Sequence, residues 1–287
     1  MIPAIVLSLL SAVLNATWNT LLKVSGDPLE TATWAETASA IAATPLLVVT
    51  WLVTGRPSLP AAGWGLAGAS AVVELFYFLS LTSAYRRGEL SVVYPLARGS
   101  APLLAVAAGV LVLGEAMSVR IAVGVALLLA GIWIVRRPSR AAWTIMWPAL
   151  LTGAAIATYT SIDKVGTQQA PPWLYGWVMW AGTAFLLVSW GGLAKRRRAS
   201  SPEESITEPE SPAVYRAILI GVVMLTSYLL MLIALSLAPL VVVAPLRESG
   251  IVLVTAVSAW RLGERTGLRL RMVGSIAILC GAVVLAT

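Results

Sequence analysis

One pattern occurs twice in this chain, and the repetition limits what the chain can fold into more than any other feature. Ser91-Val-Val-Tyr94-Pro95-Leu96-Ala-Arg98-Gly-Ser opens a stretch that runs through apolar residues to Gly114-Glu115 and on through Gly124 and Gly131. In the second half, Val241-Val-Val-Ala-Pro245-Leu246-Arg247-Glu248-Ser-Gly leads likewise to Gly263-Glu264, Gly274 and Gly281. The spacing from Pro95 to Gly124 equals that from Pro245 to Gly274, while the Gly-Glu pair sits one residue earlier in the second copy. Chance rarely preserves such an order, so the chain is a duplicated unit.

The medium in which that unit folds follows from composition. The 287 residues are 59% hydrophobic and 11% charged, with mean hydropathy +0.86, whereas soluble domains carry about 25% charged residues. Charge-free runs cover Met1–Leu22, Thr37–Gly55, Ala141–Ile162, Val165–Ala194 and Ala217–Leu246. About 20 apolar residues cross the hydrocarbon core as a helix, and the alternating ten-residue strands of a membrane barrel are absent. The first run has no basic start and carries Asn15, Trp18 and Asn19 where the core of a secretory signal stays apolar, so it reads as a retained helix. The fold class expected is all-α integral membrane, with about ten transmembrane helices. These are Ile2–Leu22, Thr31–Thr54, Gly63–Tyr85, Leu90–Leu113, Val119–Val135, Trp143–Ile162, Pro172–Ala194, Tyr215–Leu237, Leu240–Leu262 and Leu268–Ala286.

Two units of five helices result, 1–137 and 138–287, joined at Arg136-Arg137-Pro138-Ser139-Arg140. An odd number of helices per unit makes the halves insert with opposite topology, the inverted-repeat plan in which a substrate site lies at the repeat interface near the midplane. Residues 195–212, basic and then Ser/Pro/Glu-rich, are expected to be a mobile loop. Most Lys and Arg fall in or beside odd-numbered loops, which the positive-inside rule places in the cytoplasm with both termini outside. The formal charge of +7 is explained by those loops and by lipid headgroups rather than by nucleic acid. With no His and a single Cys, Cys280, neither an internal disulfide nor a Cys/His metal site is expected, and no cofactor is called for.

Ionisable groups inside spans are costly and face the bundle interior. They are Glu36, Glu74, Arg98, Arg247 and Glu248, with Asp163 and Lys164 near a helix end. Glu74 and Arg98 lie on neighbouring helices and are either a self-neutralising pair or, separately, a proton-coupling carboxylate and a counter-ion for a substrate carboxylate. Arg247 and Glu248 point about 100° apart on their helix, so at least one needs a partner elsewhere. Pro95 and Pro245 free backbone carbonyls just before these residues. Trp18, Tyr77, Tyr94, Tyr159, Trp180 and Tyr228 fall at mid-depth, where their polar tips need partners. Asn15 and Asn19 give the first helix a polar stripe, for helix packing or for a cavity wall. Together these twelve residues (Asn15, Trp18, Asn19, Glu74, Tyr77, Tyr94, Arg98, Tyr159, Trp180, Tyr228, Arg247 and Glu248) are the candidate cavity for a small-molecule substrate. The glycines of helices five and ten mark a close-approach face, between the two helices or at a homodimer seam, and Glu115 and Glu264 are expected at the membrane surface.

These features resemble the EamA-type branch of the drug/metabolite transporter superfamily: the duplicated ten-helix plan, Pro95 and Pro245 in helices four and nine, and Gly114-Glu115 and Gly263-Glu264 ahead of glycine-bearing helices. The resemblance covers essentially the whole chain. It implies an inverted-repeat bundle around a central cavity, in a multi-pass protein of the inner membrane that exports amino acids or other small metabolites. The essential glutamate that small multidrug exporters of the superfamily carry in helix one has no counterpart in helix one here. Walker-type ATP-binding sequence is absent, and no His base, metal-binding carboxylate cluster or nucleophile elbow points to an enzyme. The competing reading is a lipid flippase or a membrane scaffold subunit.

Overall fold

The computed structural model describes residues 1–23, 27–87, 90–136, 143–199, 214–250 and 268–286. Among these the elements are helices: α1 (Ile2–Lys23), α2 (Pro28–Val53), α3 (Ala61–Arg87), α4 (Leu90–Leu111), α5 (Val119–Arg136), α6 (Trp143–Gly166), α7 (Pro172–Ala199), α8 (Val214–Leu237), α9 (Leu240–Glu248) and α10 (Leu268–Ala286). By length and apolarity, α1, α2, α3, α7 and α8 each suffice to cross a bilayer, and α4, α5 and α10 contain shorter apolar segments. The fold is an all-α integral membrane bundle of two inverted five-helix repeats. The expected continuation of helix nine to Leu262 lies outside the described residues, as does most of the 195–212 segment.

The repeat governs packing as well as sequence. Buried, half-buried and exposed positions follow one another in the same order from Ala67 to Ala84 in α3 as from Ala217 to Ala234 in α8. The same holds for Ala35 to Ile41 in α2 against Met179 to Phe185 in α7. Contacts obey the swap too. α3 packs on α6 and α7 while α8 packs on α1 and α2, and the mates α2 and α7, α4 and α9, and α5 and α10 pack on each other. Neither half closes a core of its own, because most helices are buried by helices of the other half.

The crossing of α5 and α10 fixes the relation between the halves. A Cβ placed on Gly131 would lie 2.5 Å from the Gly274 carbonyl oxygen and 2.7 Å from Ile278 Cγ1. At the other end, one on Gly281 would lie 2.7 Å from the Gly124 oxygen. An early residue of each helix thus meets a late residue of its mate, the self-complementary pattern of a twofold axis, and the two mates run antiparallel. The glycine faces are used within the chain, the first of the two arrangements expected. α2 and α7 cross with the same reversal, Trp180 Nε1 donating to Ser39 Oγ at 2.9 Å and Trp177 Nε1 to Thr44 Oγ1 at 3.3 Å.

The turn between α8 and α9 is held from two other helices. Lys164 Nζ at the end of α6 donates to the carbonyls of Leu235 (2.7 Å) and Ala238 (2.8 Å), where α8 runs out of internal partners. After α4, Gly114 takes φ 64°, and Glu115 is set against the start of α9. Its carboxylate accepts from the Leu240 amide at 2.6 Å and the Val241 amide at 2.9 Å. A carboxylate at a helix N-terminus satisfies orphan N–H groups and complements the helix dipole. Glu115 is therefore a cap between the halves, placed in the turn that follows α4.

The α5–α10 contact gives a matched test. Gly131→Ala is expected to lower the thermal unfolding midpoint of the purified full-length protein, at a cost of about 1–3 kcal/mol. Gly68→Ala is the same chemical change in a helix where the added Cβ meets nothing, and it should leave the midpoint unchanged or slightly raised.

Candidate functional site

Polar groups gather where α1, α2, α3, α6, α7, α8 and α9 converge. A narrow cavity is lined there by Trp18, Glu36, Glu74, Tyr77, Phe78, Tyr159, Trp180, Met224, Tyr228 and Arg247. All the lining side chains are buried.

The repeat axis organises the lining. With Lys23 set against Lys164, Pro28 against Pro172 and Pro95 against Pro245, the lining falls into mates: Trp18 with Tyr159, Glu36 with Trp180, Glu74 with Met224, and Phe78 with Tyr228. The cavity is thus centred on the pseudo-twofold, but its chemistry is not symmetric. The first half supplies both carboxylates of the lining, and the second supplies Arg247.

Three hydrogen-bonded groups set the geometry. Asp163, wholly buried at the end of α6, accepts the Tyr175 hydroxyl at Oδ1 (2.7 Å) and the Tyr228 hydroxyl at Oδ2. With its hydroxyl fixed, the Tyr228 ring presents its face to Arg247, whose Cζ lies 5.2 Å from the ring centroid, within cation–π range. Glu74 Oε2 accepts from Thr183 Oγ1 at 2.8 Å. The rings form a continuous wall: Phe78 to Tyr77 at 4.9 Å, Tyr77 to Tyr159 at 5.9 Å, Tyr159 to Tyr228 at 5.9 Å and Tyr228 to Trp180 at 6.3 Å between centroids, mostly edge to face. Arg247 acts electrostatically on both Glu74 and Asp163. The site therefore sets an acidic side, a basic side and flat apolar surfaces around one narrow cavity.

Of the candidates read from sequence, Trp18, Glu74, Tyr77, Tyr159, Trp180, Tyr228 and Arg247 meet at this cavity. Asn15 is buried but off the lining, and Asn19 turns its amide back to the Asn15 carbonyl at 2.7 Å, a bond within α1. Glu248 is buried beside Arg247 without reaching the cavity. It is Glu248, not Arg247, that occupies the repeat position of Arg98. The side chains of Tyr94 and Arg98, and with them the Glu74–Arg98 pair, lie outside the described residues. Glu36, noted in sequence only as a charge within a span, belongs to the lining, as do Phe78 and Met224. Aligning the repeats through α2 and α7 would have found Glu36 as the mate of Trp180. The mate of Asp163 is Leu22.

A second, more open cavity lies at the end of the bundle carrying the α4–α5, α6–α7 and α8–α9 turns, lined by Glu115, Lys164, Gln168, Ser236 and neighbouring apolar residues. Among the described residues, no group of His, Cys, Asp and Glu is arranged to hold a metal ion.

The sequence profile of the EamA-like transporter family matches residues 2–137 and again 143–287. No curated protein matches the sequence. Among solved structures, a crystal structure described only as that of a protein is 17% identical, with a TM-score of 0.68 over 98% of this chain and 94% of that one, a likeness of fold alone.

The network around Asp163 carries a prediction. Asp163→Asn faces one tyrosine hydroxyl with an amide donor and should cost about 1–3 kcal/mol in thermal unfolding. Because the groups act together, Tyr175→Phe should cost less when added to Asp163→Asn than it does alone.

Proposed function

This chain belongs to the EamA-like transporter family, and we propose that its central cavity is the binding site of a secondary transporter that exports small organic metabolites, amino acids or aromatic organic compounds. The chain is a multi-pass membrane transporter; the substrate class, the export direction and residence in the inner membrane are our reading. The observation that carries it is the placement of the buried polar groups. Glu36, Glu74 and Arg247 all face one cavity on the axis between the repeats, although taking a charged side chain out of water costs several kcal/mol. A scaffold subunit gains nothing from gathering them around a void.

An alternating-access transporter needs a site between two bodies that can rock against each other. The pseudo-twofold supplies that symmetry, and the caps of Lys164 and Glu115 across the α8–α9 turn provide contacts at one end of the bundle that would have to change as that end opens. A substrate with an aromatic or apolar body would lie along the wall of rings, and a carboxylate on it would meet Arg247. A flippase reading needs a groove open sideways to lipid, whereas these lining residues are buried between helices. Export, rather than import, rests on the family resemblance.

Purified full-length protein should show a raised thermal midpoint with members of a panel of amino acids and aromatic organic acids, by linkage of binding to stability. In proteoliposomes, the stabilising compounds should exchange in counterflow, and Trp180→Ala should reduce that exchange at least tenfold. Absence of both stabilisation and counterflow across the panel, with lipid scrambling present, would replace this reading with the flippase.

A further inference from the structure

Glu36 lines this cavity with a carboxylate oxygen whose hydrogen bonding the described residues leave unfinished. It sits in the first third of α2 with 1% of its surface exposed, and its backbone carbonyl already takes part of the Trp180 Nε1–H at 3.3 Å. Among the described residues its carboxylate oxygen Oε2 is buried with no hydrogen-bond partner. Its charged neighbour across the cavity is Glu74, of the same sign, while Glu74 is itself satisfied by Thr183. Buried carboxylate oxygens are seldom left unpartnered, because each is an acceptor stripped of water.

The repeat shows that the bundle does not require a carboxylate there. The mate position, Trp180, holds an indole that closes against Ser39 and the Glu36 backbone. The two mates therefore pack the same crossing, one as an apolar ring and the other as an acid aimed into the void. Around that acid stand the rings of Trp18, Tyr77, Phe78, Tyr159, Trp180 and Tyr228. Aromatic faces attract cations, and the protein already uses one of them in this way, for Arg247.

Resting on the reading of the cavity as the substrate site, we propose that Glu36 is the acceptor for a substrate ammonium group, so that the site takes compounds bearing a protonated amine on an aromatic or apolar body. Glu74 adds a second negative charge nearby, and the rings enclose the body. A carboxylate on the substrate is then an accessory that Arg247 can meet, and is not required. The substrate class becomes primary amines and amino acids, to the exclusion of acids that lack the amine.

The experiment uses full-length protein in detergent, with binding measured by calorimetry or thermal shift for three probes: 2-phenylethylamine, phenylalanine and 3-phenylpropionate. Wild type should bind the two amines and bind 3-phenylpropionate at least tenfold more weakly. Glu36→Gln should weaken both amines tenfold or more, with Glu36→Asp falling between. The apo midpoint of each variant reports folding; if Glu36→Gln does not fold, the ranking of the three probes on wild type and on Glu36→Asp decides. Equal binding of the amines by Glu36→Gln and wild type overturns the assignment. So does preference of wild type for 3-phenylpropionate. In that last case, if Trp18→Ala abolishes the binding, the cavity remains the substrate site and the ammonium role alone falls. If no probe binds and the counterflow panel is also silent, both readings fall.

Discussion

Backbone-to-backbone approach at the pseudo-twofold axis is the constraint on which the rest of this structure depends. Hydrocarbon offers helices no hydrophobic reason to associate, so they are held by dispersion between closely fitted surfaces and by hydrogen bonds across them. Gly124, Gly131 and Gly281 allow carbonyl oxygens to come within contact distance of the facing helix. Smaller versions recur elsewhere: a Cβ on Gly153 would collide with Ser100 Oγ, and one on Gly221 or Gly250 with the carbonyl of Ala35 or Ala12. Gly153 against Ser100 and Gly250 against Ala12 are the same contact seen from the two halves. Each close approach locks a helix of one half to a helix of the other.

That interlocking places the polar groups. Helices that pack mainly on the opposite half bring their inward faces together on the axis, and there the duplicated positions have diverged. Where one half keeps a ring or an aliphatic chain, the other carries a charge: Trp180 against Glu36, Met224 against Glu74, Leu22 against Asp163. The scaffold has stayed symmetric while the site has not: the lining carboxylates Glu36 and Glu74 come from the first half, and Arg247, with Asp163 behind Tyr228, from the second. Asp163 shows how the charges are integrated, since its two tyrosine partners come from α7 and α8, and one of those rings then carries the arginine.

The closed ends of the bundle follow the same logic. Helix termini in a membrane protein leave carbonyls and amides that must be satisfied, and at the α8–α9 turn the partners are charged side chains from α6 and from the turn after α4. A long-range cap of this kind couples the position of α9, and so of Arg247, to the first half of the chain. Sequence alone assigns Glu115 to a membrane-exit turn, because a glycine-glutamate pair after an apolar helix is what such an exit looks like; its bond to α9 is invisible in one dimension.

The sequence by itself determined the helices, their number, the duplication and the inversion, because these follow from apolar length, from the return of Pro-Leu, Gly-Glu and paired glycines, and from the odd helix count. It also marked Glu74, Arg247 and the mid-depth rings, since any polar group inside a span must face inward. Tertiary structure alone decided which inward-facing groups share a cavity. Asn15 and Glu248 are buried by the same rule yet stay off the lining, while Glu36, Phe78 and Met224 reach the cavity. The difference lies in rotation of each helix about its own axis, and that rotation is set by which small residues the opposite half presents, information divided between stretches of chain far apart in sequence.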